Sequence, residues 1–414
     1  MARKAFSFLT FLLIFAPVWG QSAREKVMGN QQYARGIYYM QMEPLSSGTP
    51  APKGYKPVYI SHYARHGARY LVSDKYYSSV LDPLREASLK GCLTPLGKRL
   101  LEAGSAFYEN AARGRAGDLS PVGWRQHQDI ARQMVSAFPP LFRGRPHIEA
   151  SASTSVRSII SMNAFDLALQ QVLPRAEIYE QAGKCTLPWT LPEKKENAAD
   201  FHRTDMPWSI SPKEYLASQI DCGQIVARLF TSPEYVSDPV QFCIYLYNFL
   251  VSDICTESRI GIDQEEMFSL DEIFALWEED NLETYDRVAG SLTCYLSMLE
   301  DIVSRAESDL ASGISARLRF GHDIGIDALA FMLGIDGADR RPSAPAEVAD
   351  IWQNWRTPMA STFLLVLYTS KRGEPLFKVI LNGEEVSVAK FSPVTGPYYR
   401  WRDLEGIIQI CSYE

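Results

Sequence analysis

Seven residues, Pro57-Val58-Tyr59-Ile60-Ser61-His62-Tyr63, restrict the fold of this chain more than any other segment. They are rich in β-branched and aromatic side chains and follow a Pro- and Gly-rich run over 46–56, so they predict a strand entered from a loop. The strand ends at Arg65-His66-Gly67-Ala68-Arg69. Further strand-like runs lie at 147–151, 316–320, 362–368 and 376–381, so the sheet is assembled from both ends of the chain. Between them, Leu93-Thr94-Pro95-Leu96-Gly97 and Leu119-Ser120-Pro121-Val122-Gly123 each offer a hydroxyl N-cap followed by Pro at the first helical position. From Val156 the apolar positions 156, 159, 160, 164, 167, 168 and 172 keep helical spacing, which puts Arg157 in a first helical turn.

Strands alternating with helices favour an α/β fold, a mostly parallel central sheet flanked by helices, with its ligand site beyond the strand ends. The stretch 174–310 carries several helical patterns and reads as a mainly helical insertion, leaving 21–173 and 311–414 as the core. With 414 residues and 46% hydrophobic content the chain is an ordinary folded protein near the limit of one core. Its net charge of -7 argues against a nucleic-acid partner, because such proteins carry a basic surplus that neutralises phosphates.

Residues 1–20 read as a secretory signal. Arg3 and Lys4 form a basic start, Phe6 to Trp19 are mostly apolar, and Val18-Trp19-Gly20 fits the cleavage positions. No second stretch of that kind follows, so no membrane span is expected and the mature chain, from near Gln21, should be secreted or periplasmic. Cysteines at 92, 185, 222, 243, 255, 294 and 411 are an odd set, so at least one is unpaired within the chain. An oxidising compartment permits bridges among the five from Cys185 to Cys294, and no C-x-x-C spacing suggests zinc or redox work.

In the segment after the first strand, two arginines flank a histidine and a glycine. Arginine forks match phosphate oxygens, and glycine lets a backbone approach a ligand, so the segment describes an oxyanion site with a nucleophile in it. His62 and His66 stand at i, i+4, but the pattern there is strand-like and lacks the intervening Glu of a helical zinc site. A second constellation is Phe320-Gly321-His322-Asp323, where Ala316, Leu318 and Phe320 alternate with Arg317 and Arg319 and deliver a His-Asp pair at a strand end. Such a pair also suits a helix N-cap.

Together with Arg157, these segments resemble the histidine phosphatase superfamily, specifically its histidine acid phosphatase and phytase branch. Arg65-His66-Gly67-Ala68-Arg69-Tyr70-Leu71 is similar to that family's R-H-G-x-R-x-P, with Leu71 in place of proline, and His322-Asp323 to its H-D pair. Asp118 to His127 is similar to its L-T-P-x-G-x-R-Q-H segment. Ser153-Thr154-x-x-Arg157 followed by Ile160-Ser161-Met162 looks most like the multiple inositol polyphosphate phosphatases, which usually carry H-A-E where this chain has His322-Asp323-Ile324. The resemblance spans residues 50–400.

It implies a metal-independent phosphomonoesterase without cofactor, acting on a small phosphorylated substrate such as phytate. His66 is then the nucleophile that forms a phosphohistidine, Asp323 the proton donor, and Arg65, Arg69, Arg157 and His322 the phosphate ligands. A broad-specificity acid phosphatase, a non-catalytic phosphate-ester binder and a metallohydrolase are the competing readings. His127, His147 and His202 read as structural, the run Glu278-Glu279-Asp280 as a solvated loop or helix end, and Lys184, Lys194, Lys195 and Arg203 as candidate contacts for further phosphates.

Overall fold

The computed structural model describes residues 21–192, 206–290 and 292–411. The signal-like residues 1–20, and Lys194, Lys195, His202 and Arg203, lie outside the described residues. The sheet contains strands β1 (Lys56–Arg65), β2 (His147–Ala152), β3 (Glu177–Ala182), β4 (Ile314–Gly321), β5 (Thr362–Thr369), β6 (Leu376–Leu381), β7 (Glu384–Glu385) and β8 (Tyr399–Arg400). Their order is β3-β2-β4-β1-β5-β6-β7, with β8 on β6. Strands β3, β2, β4 and β1 pair in parallel, and β5 turns back on β1. The result is an α/β molecule whose central sheet is mostly parallel and flanked by helices.

Period-two burial explains why helices cover both faces. In β5, Phe363, Leu365 and Leu367 join a core beneath helices Leu296–Ala311 and Asp323–Leu333. Leu364, Val366 and Tyr368 join the core on the opposite face, beneath helices Pro121–Ala137 and Val156–Val172. A strand buried on both faces must be apolar throughout, as β5 is. Strand β4 is the exception: Arg317 and Arg319 alternate with its apolar residues, and their guanidiniums meet Asp309 and Asp301 of Leu296–Ala311. Arg319 is fully buried and also donates to Ser61 Oγ at 2.8 Å.

The stretch 174–310 holds one strand among its helices. Glu177–Ala182, within the stretch read as helical, is the sheet's edge strand; its side chains are largely exposed and polar, so period-two burial never marks it. A separate helical core joins Leu216, Val226 and Leu246 from that stretch with Val80, Leu84 and Leu100, so residues ahead of 174 share its packing. Cys92, Cys185, Cys222, Cys243, Cys255 and Cys294 form no disulfide. Among the described residues no helix is long and apolar enough to cross a membrane.

Candidate active site

Three parallel strands end at one place. Arg65 at the end of β1 is in register with Gly321 at the end of β4, and Ala152 at the end of β2 with Phe320. The pairing continues one residue beyond each strand: His66 N donates to Gly321 O at 3.0 Å, and Ser153 N to Phe320 O at 3.0 Å. Whatever follows these strands in sequence is therefore adjacent in space. The His66 and His322 rings lie 5.4 Å apart at 76°, and Asp323 Oδ2 is 3.2 Å from Arg65 Nη2. Arg157, in the first turn of Val156–Val172, and Arg69 bring their charges to bear on both rings. All six sequence-predicted site residues thus converge.

Local chemistry holds each one. His66 Nδ1 is 2.9 Å from Gly67 O; a carbonyl only accepts, so the ring proton sits on Nδ1 and Nε2 carries the lone pair. Gly67 itself has a different task from the expected ligand approach. A Cβ there would stand 2.4 Å from Gly123 O, so glycine is what lets the loop after β1 touch the first turn of Pro121–Ala137. The Ser120 cap expected there accepts from Gly123 N at 3.2 Å. Gly67 N donates to Ser161 Oγ and Ala68 N to Gln126 Oε1, so the loop's amides are satisfied by the helices around it. Leu71, at the position of proline in the resembled motif, uses the amide that proline lacks: it donates to Tyr77 Oη at 3.1 Å.

Across the site, Tyr63 Oη donates to Thr190 O at 2.6 Å and accepts from His322 N at 3.2 Å, which latches the second constellation to β1. His322 caps the helix Asp323–Leu333, and its Nε2 is 3.3 Å from Ser153 Oγ. Arg65 Nη1 donates to Thr357 O at 2.6 Å, which leaves Nη2 for Asp323.

Electrostatics follow from this crowding. Burial, then the charges of Arg65, His322, Arg157 and Arg69, hold the His66 imidazole neutral well below its ordinary range. Burial and Arg157 push His322 down to about 3. Burial, with Arg69 and Arg65 alongside, lowers Arg157 to about 10, so it stays charged at neutral pH. Burial alone would raise Asp323, yet the Arg65 and Arg287 guanidiniums and His322 outweigh it and hold the carboxyl well below the carboxylate range. Asp327, one turn on, accepts from Trp352 Nε1 and Thr357 Oγ1, and burial raises it to about 7.

Sequence reasoning missed Tyr63, Thr357 and Arg287. Arg287 Nη2, from helix Leu270–Ala289, lies 3.7 Å from Asp323 Oδ2; its helical spacing gave no sign of that contact. The acidic run 278–280 is not solvated. Glu278 and Glu279 are buried on the same helix, and burial raises Glu278 to about 7, with Tyr215 as its hydrogen-bond partner. His127 is buried against Phe165 and Phe320, and His147 Nε2 has a carboxylate partner in Glu149 at 3.3 Å. Alternate strand residues share a face, which explains that second pair.

No family model and no curated protein matches this chain. Its α/β fold is shared with solved inositol polyphosphate phosphatases and phytases. The Bifidobacterium longum multiple inositol polyphosphate phosphatase, solved in complex with inositol hexasulfate, superposes with TM-score 0.71 at 16% identity, covering 91% of this chain and 97% of that one. The D. castellii phytase gives 0.67 at 14%, covering 92% and 85%. The Hafnia alvei phytase gives 0.53 at 11%, covering 87% and 98%.

Proposed function

We propose that this chain is a secreted, metal-independent phosphomonoesterase that acts on inositol phosphates such as phytate through a phosphohistidine on His66. The observation that carries the reading is the β1–β4 register, which brings a neutral imidazole and an acidic side chain to neighbouring strand ends beside Arg65. The inositol polyphosphate named with the similar B. longum enzyme supports the substrate class.

The scissile phosphoryl oxygens are held by Arg65, Arg69, Arg157 and His322, with the N-terminal end of Val156–Val172 adding its dipole. His66 Nε2 attacks phosphorus in line as the ester P–O bond breaks, and Asp323 gives its proton to the departing alkoxide. Asp323, now a carboxylate, takes a proton from the water that cleaves the P–N bond; phosphate leaves and His66 is neutral again. Asp323 is ionised where Arg65 faces it. A phosphate dianion engages that guanidinium and brings negative charge of its own, so Asp323 regains its proton as substrate enters. Activity is therefore expected on the acid side of neutral.

Phosphate release from phytate and from an aryl phosphate, with and without chelator, tests the reading. Release from both, unchanged by chelator and abolished in His66→Ala, is expected. Chelator-sensitive release indicates a metallohydrolase, absence of release a binder, and a strong preference for the aryl ester a broad acid phosphatase. We further propose that residues 1–20 are removed on export, checked by the N-terminal sequence of the exported protein, and that 174–310 is an inserted unit.

A further inference from the structure

Three oxygens on helix Val156–Val172 are buried with no hydrogen to accept: Asn163 Oδ1 and both carboxyl oxygens of Asp166. Asp166 is only 5% exposed, and the group within hydrogen-bond reach of its carboxyl is a second acidic one, that of Glu180 on the edge strand β3. We propose that Asn163, Asp166 and Glu180 form a binding site for one hard divalent cation of the calcium class, which clips β3 to this helix. The site is separate from the His66 centre. Arg157 stands nine positions before Asp166 on the same helix, which is about two and a half turns and about 14 Å along the axis, so the two side chains leave from opposite faces.

Two periodicities bring the three groups together. Asn163 and Asp166 are three apart on one helix and therefore neighbours along one face. In β3 alternate residues share a face. Ile178 packs on the core that contains Met162, Phe165 and Leu169 of the helix, so Glu180, two residues on, points toward the same helix.

Acidic oxygens set side by side out of water need positive charge between them. Burial, and then Glu180, push the Asp166 carboxyl up, so a proton is the rival occupant. One shared proton joins one oxygen of each carboxyl and leaves the second Asp166 oxygen and Asn163 Oδ1 without a partner, at the usual cost of a buried orphan. Turning the Asn163 amide over supplies a single N–H and still leaves carboxyl facing carboxyl. A cation meets all of these oxygens at once. Oxygen-only donors suit calcium and magnesium, and the exposed side of Glu180 lets water complete the coordination shell. Reaching a carboxyl as buried as Asp166 requires the ion to shed water, which magnesium does reluctantly. Among the described residues no three His, Cys, Asp or Glu side chains gather in one place. With two carboxylates and an amide, affinity is expected in the range of extracellular calcium modules, a Kd of about 10⁻⁴–10⁻³ M.

Calorimetric titration of the full-length protein, first stripped with chelator, tests the site with calcium chloride and with magnesium chloride. One calcium per chain is expected, with magnesium weaker, and calcium at about ten times its Kd should raise the unfolding midpoint by about 2 °C. Binding should be lost in Asp166→Asn and weakened about tenfold or more in Glu180→Gln; the exposed Glu180 keeps the test open should the buried variant fold poorly. No heat and no rise in the wild type overturn the proposal, as does calcium binding that Glu180→Gln leaves unchanged. A midpoint raised by Asp166→Asn but untouched by calcium marks a shared proton and overturns it too. Initial rates of phosphate release well below the unfolding temperature should not depend on calcium. The inference does not rest on the phosphatase reading: a failed titration leaves that reading standing, and a chain that binds calcium yet hydrolyses no ester removes that reading alone.

Discussion

The proposed mechanism requires Asp323 to be ionised at rest and protonated at the moment of bond cleavage. Arg65 sets its charge through a contact at 3.2 Å, and in the proposed mechanism a phosphate that engages Arg65 reverses it. Asp323→Asn should therefore slow alkyl phosphates by about 10²- to 10⁴-fold, the usual worth of a general acid, and aryl phosphates much less, since their leaving groups need no proton. Steady-state rates across leaving groups of graded pKa measure this; equal loss on every ester would remove Asp323 from the proton-donor role. His66 is the opposite kind of residue, buried and neutral in both states, with Gly67 O fixing its tautomer. Its removal should abolish turnover whatever the leaving group.

At the scale of elements, the His66 loop is only as well placed as its contact with helix Pro121–Ala137. Gly67→Ala would bring a Cβ to 2.4 Å from the Gly123 carbonyl, so either the loop or the helix start must move. We expect kcat to fall and stability to drop by about 1–3 kcal/mol, the usual cost of overpacking, read from activity and urea unfolding on the same preparation. That contact also marks where sequence reading stopped. The strands β1, β2, β4, β5 and β6 were legible because β-branched runs and period-two patterning are local, and Arg65, His66, Arg69, His322 and Asp323 were legible because each lies at or just beyond the end of such a strand. Arg287 and Tyr63 were not, since their meaning lies in contacts with residues far away in the chain. The acidic run at 278–280 misled for a related reason: charge suggests solvent, whereas Glu278 shares a hydrogen bond with Tyr215 inside the protein and holds its proton to about 7.

The whole molecule stores a conflict over pH. His62, His127 and His322 are buried and take up protons only near 3 when folded, mainly because of burial, against 6.5 in the open chain. The unfolded state thus binds more protons as pH falls, so the stability tied to these rings is complete above 6.5 and is lost on the way down to about 3. Asp280 and Asp327, raised to about 7, act with opposite sign: their contribution is complete below the ordinary aspartate range and fades as pH rises through 7. His127→Leu should make the unfolding free energy fall less steeply between pH 6 and 4, by about 1.4 kcal/mol per pH unit for the one proton removed from the balance. An unchanged slope in urea titrations would contradict this. The pairing of β1 with β4 has a consequence in time as well as in space. Ser61 and Arg319 bond across 258 positions of chain, so a growing polypeptide exposes its histidine at the ribosome long before the matching carboxyl has been synthesised. The proposed reactivity toward esters then arises only after β4 has been made, and a fragment truncated ahead of β4 should show none.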